Sequence, residues 1–148
     1  MPDNKAIVRR LFDELWSKGQ LPVIDELVSK DFIGYWPFRG EPVKGPLEYK
    51  DMVEEIRKAF PDQTMKVLDE IAEGDRVATR FEVSGTHRGE FLTVPATNKA
   101  LRVEGFSMSR IKNGKIVETR VQMDTIALMR ELGIVSPKIV MPVPTLTR

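Results

Sequence analysis

Apolar residues recur at helical spacing in four stretches of the chain. Near the N-terminus they repeat every three or four positions from Ile7 to Trp16, with charged residues on the opposite side. Three later stretches show the same spacing after residues that favour a helix start. The predicted helices begin after Asp3 or Asn4, at Pro22, at Pro46 and after Asp124, and they end at Gly19, at about Val28, at Pro61 and at Gly133.

Alternation of apolar and polar residues predicts four strands in the second half of the chain. Two turn signals, Gly74-Asp75 and Asn113-Gly114, divide these strands into two antiparallel hairpins. Helices followed by an antiparallel sheet indicate an α+β domain with the helices gathered on one face. If the sheet curls around them, it forms a cone with an open mouth. The predicted strands cover residues 64–72, 76–87, 100–112 and 115–123, with a loop at residues 88–99.

The stretch from Asp31 to Gly45 is irregular and rich in aromatic residues, glycine and proline, so it predicts a loop. Tyr35 and Trp36 combine apolar rings with polar groups, which suits a wall or lid over a ligand cavity. The alternative is an ordinary rim that plugs one end of the core. We assign residues 1–133 to one domain and expect the apolar, proline-rich tail, residues 134–148, to pack on this domain or on a partner subunit.

The last predicted strand carries a polar stripe. Residues alternate across a strand, so one face holds polar side chains and the other holds Val117, Val121 and Met123. A polar stripe on a core sheet requires an explanation. The polar side chains of this stripe are Glu118, Arg120, Gln122 and Asp124.

The composition excludes several kinds of function. A formal net charge of +1 gives no reason to expect nucleic acid or an anionic membrane as a partner. Without cysteine there is no disulfide or thiolate chemistry, and the single histidine, His87, excludes a multi-histidine metal site within one chain. No apolar run approaches the roughly 20 residues of a membrane span, and the first 20 residues are too charged for a signal peptide, so we expect a cytoplasmic protein.

Several short fragments occur in an informative order. They are Ala59-Phe60-Pro61-Asp62, Ala72-Glu73-Gly74-Asp75-Arg76-Val77, Gly85-Thr86-His87-Arg88-Gly89-Glu90-Phe91, Pro95-Ala96-Thr97, Gly114-Lys115-Ile116-Val117-Glu118, and Asp124 with Glu131-Leu132-Gly133. Together they resemble the SnoaL-like polyketide cyclase family, which belongs to the cone-shaped nuclear-transport-factor-two-like superfamily. The similarity covers roughly residues 5–133.

The resemblance implies an aldol-type ring closure of an aromatic polyketide ester, run without a cofactor by a carboxylate that matches Asp124. The chain also departs from the family pattern. Thr93 and Asn98 stand where glycine is usual or frequent, and Arg120 stands where many relatives carry tryptophan. Gln122 falls where the characterised cyclases have histidine on the catalytic face. The superfold also hosts isomerases, hydrolases, dehydratases and plain binding modules.

Each candidate catalytic residue has a structural alternative. Asp124 is either catalytic or only the N-cap of the last helix. Arg120 either holds an anionic or carbonyl group of the substrate, as the resemblance allows, or pairs across strands. His87 either assists Asp124 as a general acid or orienting group, or makes structural hydrogen bonds.

We therefore expect an enclosed, mostly apolar cavity with a polar end formed by Asp124, Arg120, Gln122 and His87. In the enzyme hypothesis Asp124 removes a proton next to a carbonyl, and Arg120, His87 or Tyr35 stabilises the enolate, giving aldol closure or isomerisation of a hydrophobic carbonyl compound. The alternative is a non-catalytic module that binds a hydrophobic small ligand or mediates assembly. We also expect a homodimer through the outer sheet face. The predicted cavity wall consists of Trp16, Tyr35, Trp36, Phe60, Phe106 and Met108.

Overall fold

The helices form close to their predicted positions. The computed structural model describes residues 3–134, and its first helix begins at a cap where the Ala6 N–H donates to Asp3 Oδ1 at 2.8 Å. This helix starts in the α form and continues as a π-helical segment. The helical elements are α1 (Asn4–Arg10), the π segment (Leu11–Ser17), α2 (Pro22–Leu27), α3 (Gly45–Ala59) and α4 (Thr125–Glu131).

Six strands form one curved, open sheet. The strands are β1 (Val28–Tyr35), β2 (Val43–Lys44), β3 (Thr64–Glu73), β4 (Arg76–Thr86), β5 (Ala100–Lys112) and β6 (Lys115–Met123). They lie side by side in the order β2, β1, β6, β5, β4, β3. The predicted hairpins are β3 with β4 and β5 with β6, and only β1 and β6 are parallel neighbours among the described strands. The predicted α+β class is confirmed.

The prediction of an irregular loop over residues 31–45 is wrong at both ends of that stretch. β1 extends to Tyr35, and β2 precedes α3. β1 lies parallel to β6 with Ile33 opposite Glu118, and its register shifts after Val28. An irregular strand of this kind does not show the regular alternation by which a strand is recognised in a sequence.

Aromatic rings join the helices to the sheet. The rings of Trp16, Phe32, Trp36 and Tyr49 contact one another with centroid separations of 5.0 to 6.5 Å. Large rings in tilted and edge-on contact contribute strongly to a core of this size. They hold the π segment and α3 against β1, which fixes the helical wall opposite the sheet.

Two predictions from the sequence concern the C-terminal tail and the absence of a membrane-spanning helix. The tail that was predicted to pack on the domain or on a partner spans residues 134–148. Of these only Ile134 lies within the described residues. No helix within residues 3–134 is long and apolar enough to cross a membrane.

The loop between β4 and β5 is bound to the end of α3. The N–H groups of Arg88 and Gly89 donate to the carbonyl of Ala59 at 2.8 and 3.2 Å. A Cβ atom on Gly89 would lie 2.5 Å from the carbonyl oxygen of Lys58. The close approach of the two backbones therefore requires glycine at this position.

Gly89→Ala is expected to lower the free energy of unfolding by about 1–3 kcal/mol, because the added methyl group displaces the loop from α3. Gly40→Ala is the matched control, since no atom lies within 4 Å of its Cβ position. Urea unfolding measures both variants. Equal stabilities would show that the loop does not depend on this contact.

Candidate functional site

A cavity of about 80 Å³ lies between the helices and the concave face of β3 to β6. The π segment and α3 form one side of it, and alternate residues of the strands form the other. Its wall is dominated by apolar side chains, which is typical of a small-molecule site. The wall includes the rings of Phe12, Trp16, Trp36, Tyr49, Phe60 and Phe81.

Three phenylalanines pack together in the wall where it meets the loop after β4. Phe91, from that loop, lies edge-on against Phe38 and Phe60 with centroid separations of 5.7 and 5.2 Å. The free volume is about half of the roughly 150 Å³ apolar cavity that holds benzene, and it is far below the roughly 300–1,000 Å³ of drug-sized sites. Even a ligand with a single ring therefore requires these rings to move.

The cavity wall carries no charged side chain within residues 3–134. Its polar side-chain groups are hydroxyls, one amide and the indole N–H groups of Trp16 and Trp36. The Gln63 amide donates to the Trp16 carbonyl at 3.1 Å, and the hydroxyls of Ser109 and Thr119 bond to each other at 3.0 Å. Ser107 Oγ is buried and has no hydrogen-bond partner among the described residues. At least one hydrogen-bonding group of the wall is therefore unused.

Tyr49 is the one titratable side chain in the described part of this wall. Burial raises the pKa of its hydroxyl, and a hydrogen bond with Trp16 acts in the opposite direction but is weaker. The phenol therefore stays protonated at neutral pH. The wall offers neutral hydrogen-bonding groups and no fixed charge.

Three of the predicted cavity residues lie where the sequence placed them. Trp16 comes from the π segment, Trp36 follows β1, and Phe60 follows α3, and all three line the cavity. Their part in binding a ligand stays a prediction.

The other predicted wall residues do not line the cavity. Phe106 and Met108 are 60% and 43% exposed on the outer face of β5, and Tyr35 and Gln122 also lie outside the lining. Placing them in the wall was wrong, because the pleat of each strand turns its buried positions inward and these four positions alternate with buried ones. The predicted homodimer through this outer face stays a prediction.

Arg120 points away from the cavity. Its guanidinium carbon lies 4.1 Å from the centre of the Tyr35 ring, and one of its nitrogens lies 3.5 Å from a Glu118 oxygen. Arg120 is opposite Tyr35 on the parallel strand, which explains the stacking. The expected polar end of the cavity, with Arg120 and Gln122 in it, is therefore not formed.

Asp124 caps α4 at the rim of the cavity. Its Oδ1 accepts the Ala127 N–H at 3.1 Å, as expected for an N-cap, and its side chain is exposed. Asp124 does not line the cavity, but Met123 before it and Leu128 after it do. The capping interpretation accounts for its contacts, and a catalytic role stays a prediction.

His87 is completely buried behind the ring of Phe60, with ring centroids 5.4 Å apart. Its Nδ1 accepts the Thr97 N–H at 3.2 Å, so a neutral ring carries its proton on Nε2. Nε2 has no hydrogen-bond partner among the described residues. His87 does not line the cavity, and its predicted role as an acid or orienting group stays a prediction.

Asp62 fixes the strand end that precedes His87. Its carboxylate accepts the backbone N–H and the hydroxyl of Thr86, both at 2.7 Å. Both bonds hold the pKa of the Asp62 carboxyl below its usual value, and the bond from the backbone N–H has the larger effect.

Within residues 3–134 no group of three or more acidic, histidine or cysteine side chains is placed to hold a metal ion.

The sequence matches the model of the SnoaL-like polyketide cyclase family over residues 6–132. The chain belongs to this family. It is 24% identical over 129 residues to the aklanonic acid methyl ester cyclase DnrD of Streptomyces peucetius, a match that covers 86% of this chain and 88% of the relative.

Solved structures with this fold include proteins described by different activities. A proposed SnoaL-like polyketide cyclase of Jannaschia sp. CCS1 superimposes with a TM-score of 0.79 at 26% identity, covering 85% of this chain and 88% of that one. AclR of Streptomyces galilaeus, described as a proposed hydroxylase, gives 0.77 at 30% identity, covering 88% and 96%. Membership of the SnoaL-like family therefore establishes the fold and leaves the reaction to the residues of the cavity.

The cavity hydroxyls of this SnoaL-like chain were missed in the sequence. Ser107 and Ser109 share the odd-numbered face of β5 with the apolar Val103 and Ile111, and all four are buried. The alternation that places these four residues on one face of the strand is visible in the sequence. The large apolar side chains at the even positions, such as Phe106, obscured it because size suggested that they form the core.

Two buried threonines of the SnoaL-like sheet differ only in whether their hydroxyl is bonded. Thr79 Oγ1 has no partner among the described residues, whereas Thr119 Oγ1 bonds to Ser109. Thr79→Val is expected to raise the free energy of unfolding by about 1 kcal/mol, because it removes an unpaired buried hydroxyl without changing volume. Thr119→Val is expected to lower it by about 1–3 kcal/mol, because Ser109 loses its partner. Urea unfolding tests both, and a loss of stability in Thr79→Val would contradict the first expectation.

Proposed function

We propose that this SnoaL-like protein binds a neutral, mostly apolar small molecule in the cavity. The observation that carries the proposal is the wall itself, in which aromatic and aliphatic side chains surround a few neutral polar groups and no charge. The two tryptophans of the chain, Trp16 and Trp36, both lie in this wall. Apolar ligands gain affinity from the area that such rings remove from water.

The uncharged wall selects against ionised ligands. Moving an ion out of water costs several kcal/mol unless an opposite charge or a set of hydrogen bonds replaces its hydration. Arg120, the cation expected to neutralise an anionic substrate group, is held on the outer face by Tyr35 and Glu118. A carboxylate ligand would therefore find no counter-charge in the described wall.

A second candidate is a cyclase-type reaction, which the names of DnrD and of a second relative, the aklanonic acid methyl ester cyclase DauD of Streptomyces sp. strain C5, favour. In an aldol closure the carbon next to an ester carbonyl loses a proton and forms a bond to a ketone carbon, and the new alkoxide gains a proton. In this chain Asp124 at the rim is the candidate base, because Met123 before it and Leu128 after it both line the cavity.

Methionine methyl groups give a direct test of binding. Met65 and Met123 line the cavity, whereas Met108 lies on the outer face. With ¹³C-methyl methionine, toluene is expected to shift the signals of Met65 and Met123 and to leave Met108 unchanged. Benzoate, which has a carboxylate in place of the methyl group, is expected to bind at least about tenfold more weakly, because a 1.4 kcal/mol penalty already gives that factor. Equal binding of both ligands, or no shift with either, would refute the proposal.

Asp124→Asn separates the two candidates. If Asp124 only caps α4, the variant is expected to bind toluene as the wild type does and to lose no more than about 1 kcal/mol of stability, because asparagine is also a good N-cap. Asp51→Asn, which changes an exposed carboxylate on α3, is the control. The same three proteins are incubated with aklanonic acid methyl ester, and cyclised product is measured by chromatography. Product formation by the wild type and by Asp51→Asn, but not by Asp124→Asn, would establish the second candidate.

A further inference from the structure

Two hydroxyl groups on the concave face of the sheet are buried without a hydrogen-bond partner among the described residues. They are Ser107 Oγ on β5 and Thr79 Oγ1 on β4. Ser107 and Thr79 are 7% and 1% exposed, so both residues are more than nine-tenths buried. A buried hydroxyl that makes no hydrogen bond costs stability, and native structures rarely leave two such groups side by side.

The strand register brings these hydroxyls together. Ser107 is directly opposite Thr79 on β4, and on the other side it is opposite Val121 of β6. Opposite residues on antiparallel strands have Cα atoms roughly 4.5–5.5 Å apart. Ser109, two positions along β5, completes its own bond with Thr119 on the same face. On β3 Thr79 is opposite Glu70, whose Oε2 is also buried without a partner among the described residues, so the cluster contains one satisfied pair and three unsatisfied oxygens.

Ser107 lines the cavity, whereas Thr79 does not. Three other polar groups of the wall have partners within the protein, since Gln63 donates to the Trp16 carbonyl, and Ser109 bonds to Thr119. Since no described residue bonds to Ser107 Oγ, a water molecule or an atom of a ligand is left to supply its partner.

We infer that Ser107, with Thr79 beside it, forms a subsite that binds the oxygen of a carbonyl or hydroxyl group on the ligand. The inference rests on the proposed binding of a neutral apolar molecule and specifies its class as a ketone, an ester, a quinone or a phenol. A serine hydroxyl donates to a carbonyl oxygen and needs no charge to do so. The oxygen enters an otherwise apolar space, so this one bond orients the whole ligand.

Two ligands of the same shape test the subsite. Acetophenone carries a carbonyl oxygen where α-methylstyrene carries a methylene group. Dissociation constants for both come from the Met65 and Met123 methyl shifts, and the quantity compared is the ratio of the two constants. The ratio cancels the size and general apolarity of the ligand, so what remains is the recognition of the oxygen.

Ser107→Ala is expected to reduce the preference for acetophenone about three- to tenfold, which corresponds to one net hydrogen bond. Thr79→Val is expected to reduce the preference by a smaller factor, and it serves as the second variant because it keeps the volume of the side chain. Ser29→Ala, on β1 and outside the cavity, is the control that keeps the wild-type ratio. A purely structural role for Ser107 would change stability and leave the ratio untouched.

The outcomes distinguish this inference from the proposal on which it rests. If both ligands bind and Ser107→Ala keeps the wild-type ratio, the oxygen subsite is wrong, although binding in the cavity stands. If neither ligand shifts Met65 or Met123 in the wild type, cavity binding itself fails and the subsite fails with it. A lower ratio in both Ser107→Ala and Thr79→Val, with Ser29→Ala unchanged, supports the subsite.

Discussion

The pleat of β5 decides which side chains enter the cavity. β5 pairs with β4 without a register shift from Arg76 opposite Arg110 to Thr86 opposite Ala100. Over this length a side chain cannot change faces, because successive residues of a strand point in opposite directions. Leu101 and Val103 are buried against the core, so every second residue after them must also face inward. Ser107 therefore faces the cavity because it lies on the same strand face as these apolar residues.

The same constraint sends charge to the outer face. Arg80 pairs there with Asp69 and Glu104, and Arg120 stacks on Tyr35. These contacts leave the charged side chains hydrated, whereas any of them on the inner face would lose its water without a counter-charge. The alternation therefore separates the uncharged wall from the charges of β4 and β5, whereas Glu70 of β3 faces inward outside the wall and pairs with Arg9 at 3.4 Å. A carboxylate base for a reaction in the cavity would have to come from outside the described wall, and Asp124 at the rim is the candidate.

The sequence was sufficient to predict the positions of the helices and of four strands, but not which face of each strand lies against the core. Regular alternation and the turns at Gly74 and Asn113 located β3 to β6 to within one residue, whereas β1 was missed because a parallel, irregular strand has no simple period. The polar stripe of β6 was recognised, but its direction depends on which face the helices cover, and that is a tertiary fact. The family pattern marked Thr93 and Asn98 as replacements of glycine. Both have a positive φ, 64° and 60°, which is the conformation that favours glycine.

The unpaired hydroxyls and the small volume of the cavity both indicate a conflict between stability and ligand binding. Valine at position 79 and alanine at position 107 would satisfy the core better, since neither would bury an unbonded oxygen. Local choices that oppose stability are expected at functional sites, where a ligand supplies what the protein lacks. The ring of Phe91 contacts Phe38 and Phe60 when the cavity is small, so a ligand must displace rings before it reaches Ser107. In the proposed complex, a hydrogen bond from Ser107 to the ligand oxygen would have no counterpart among the described contacts of the free protein.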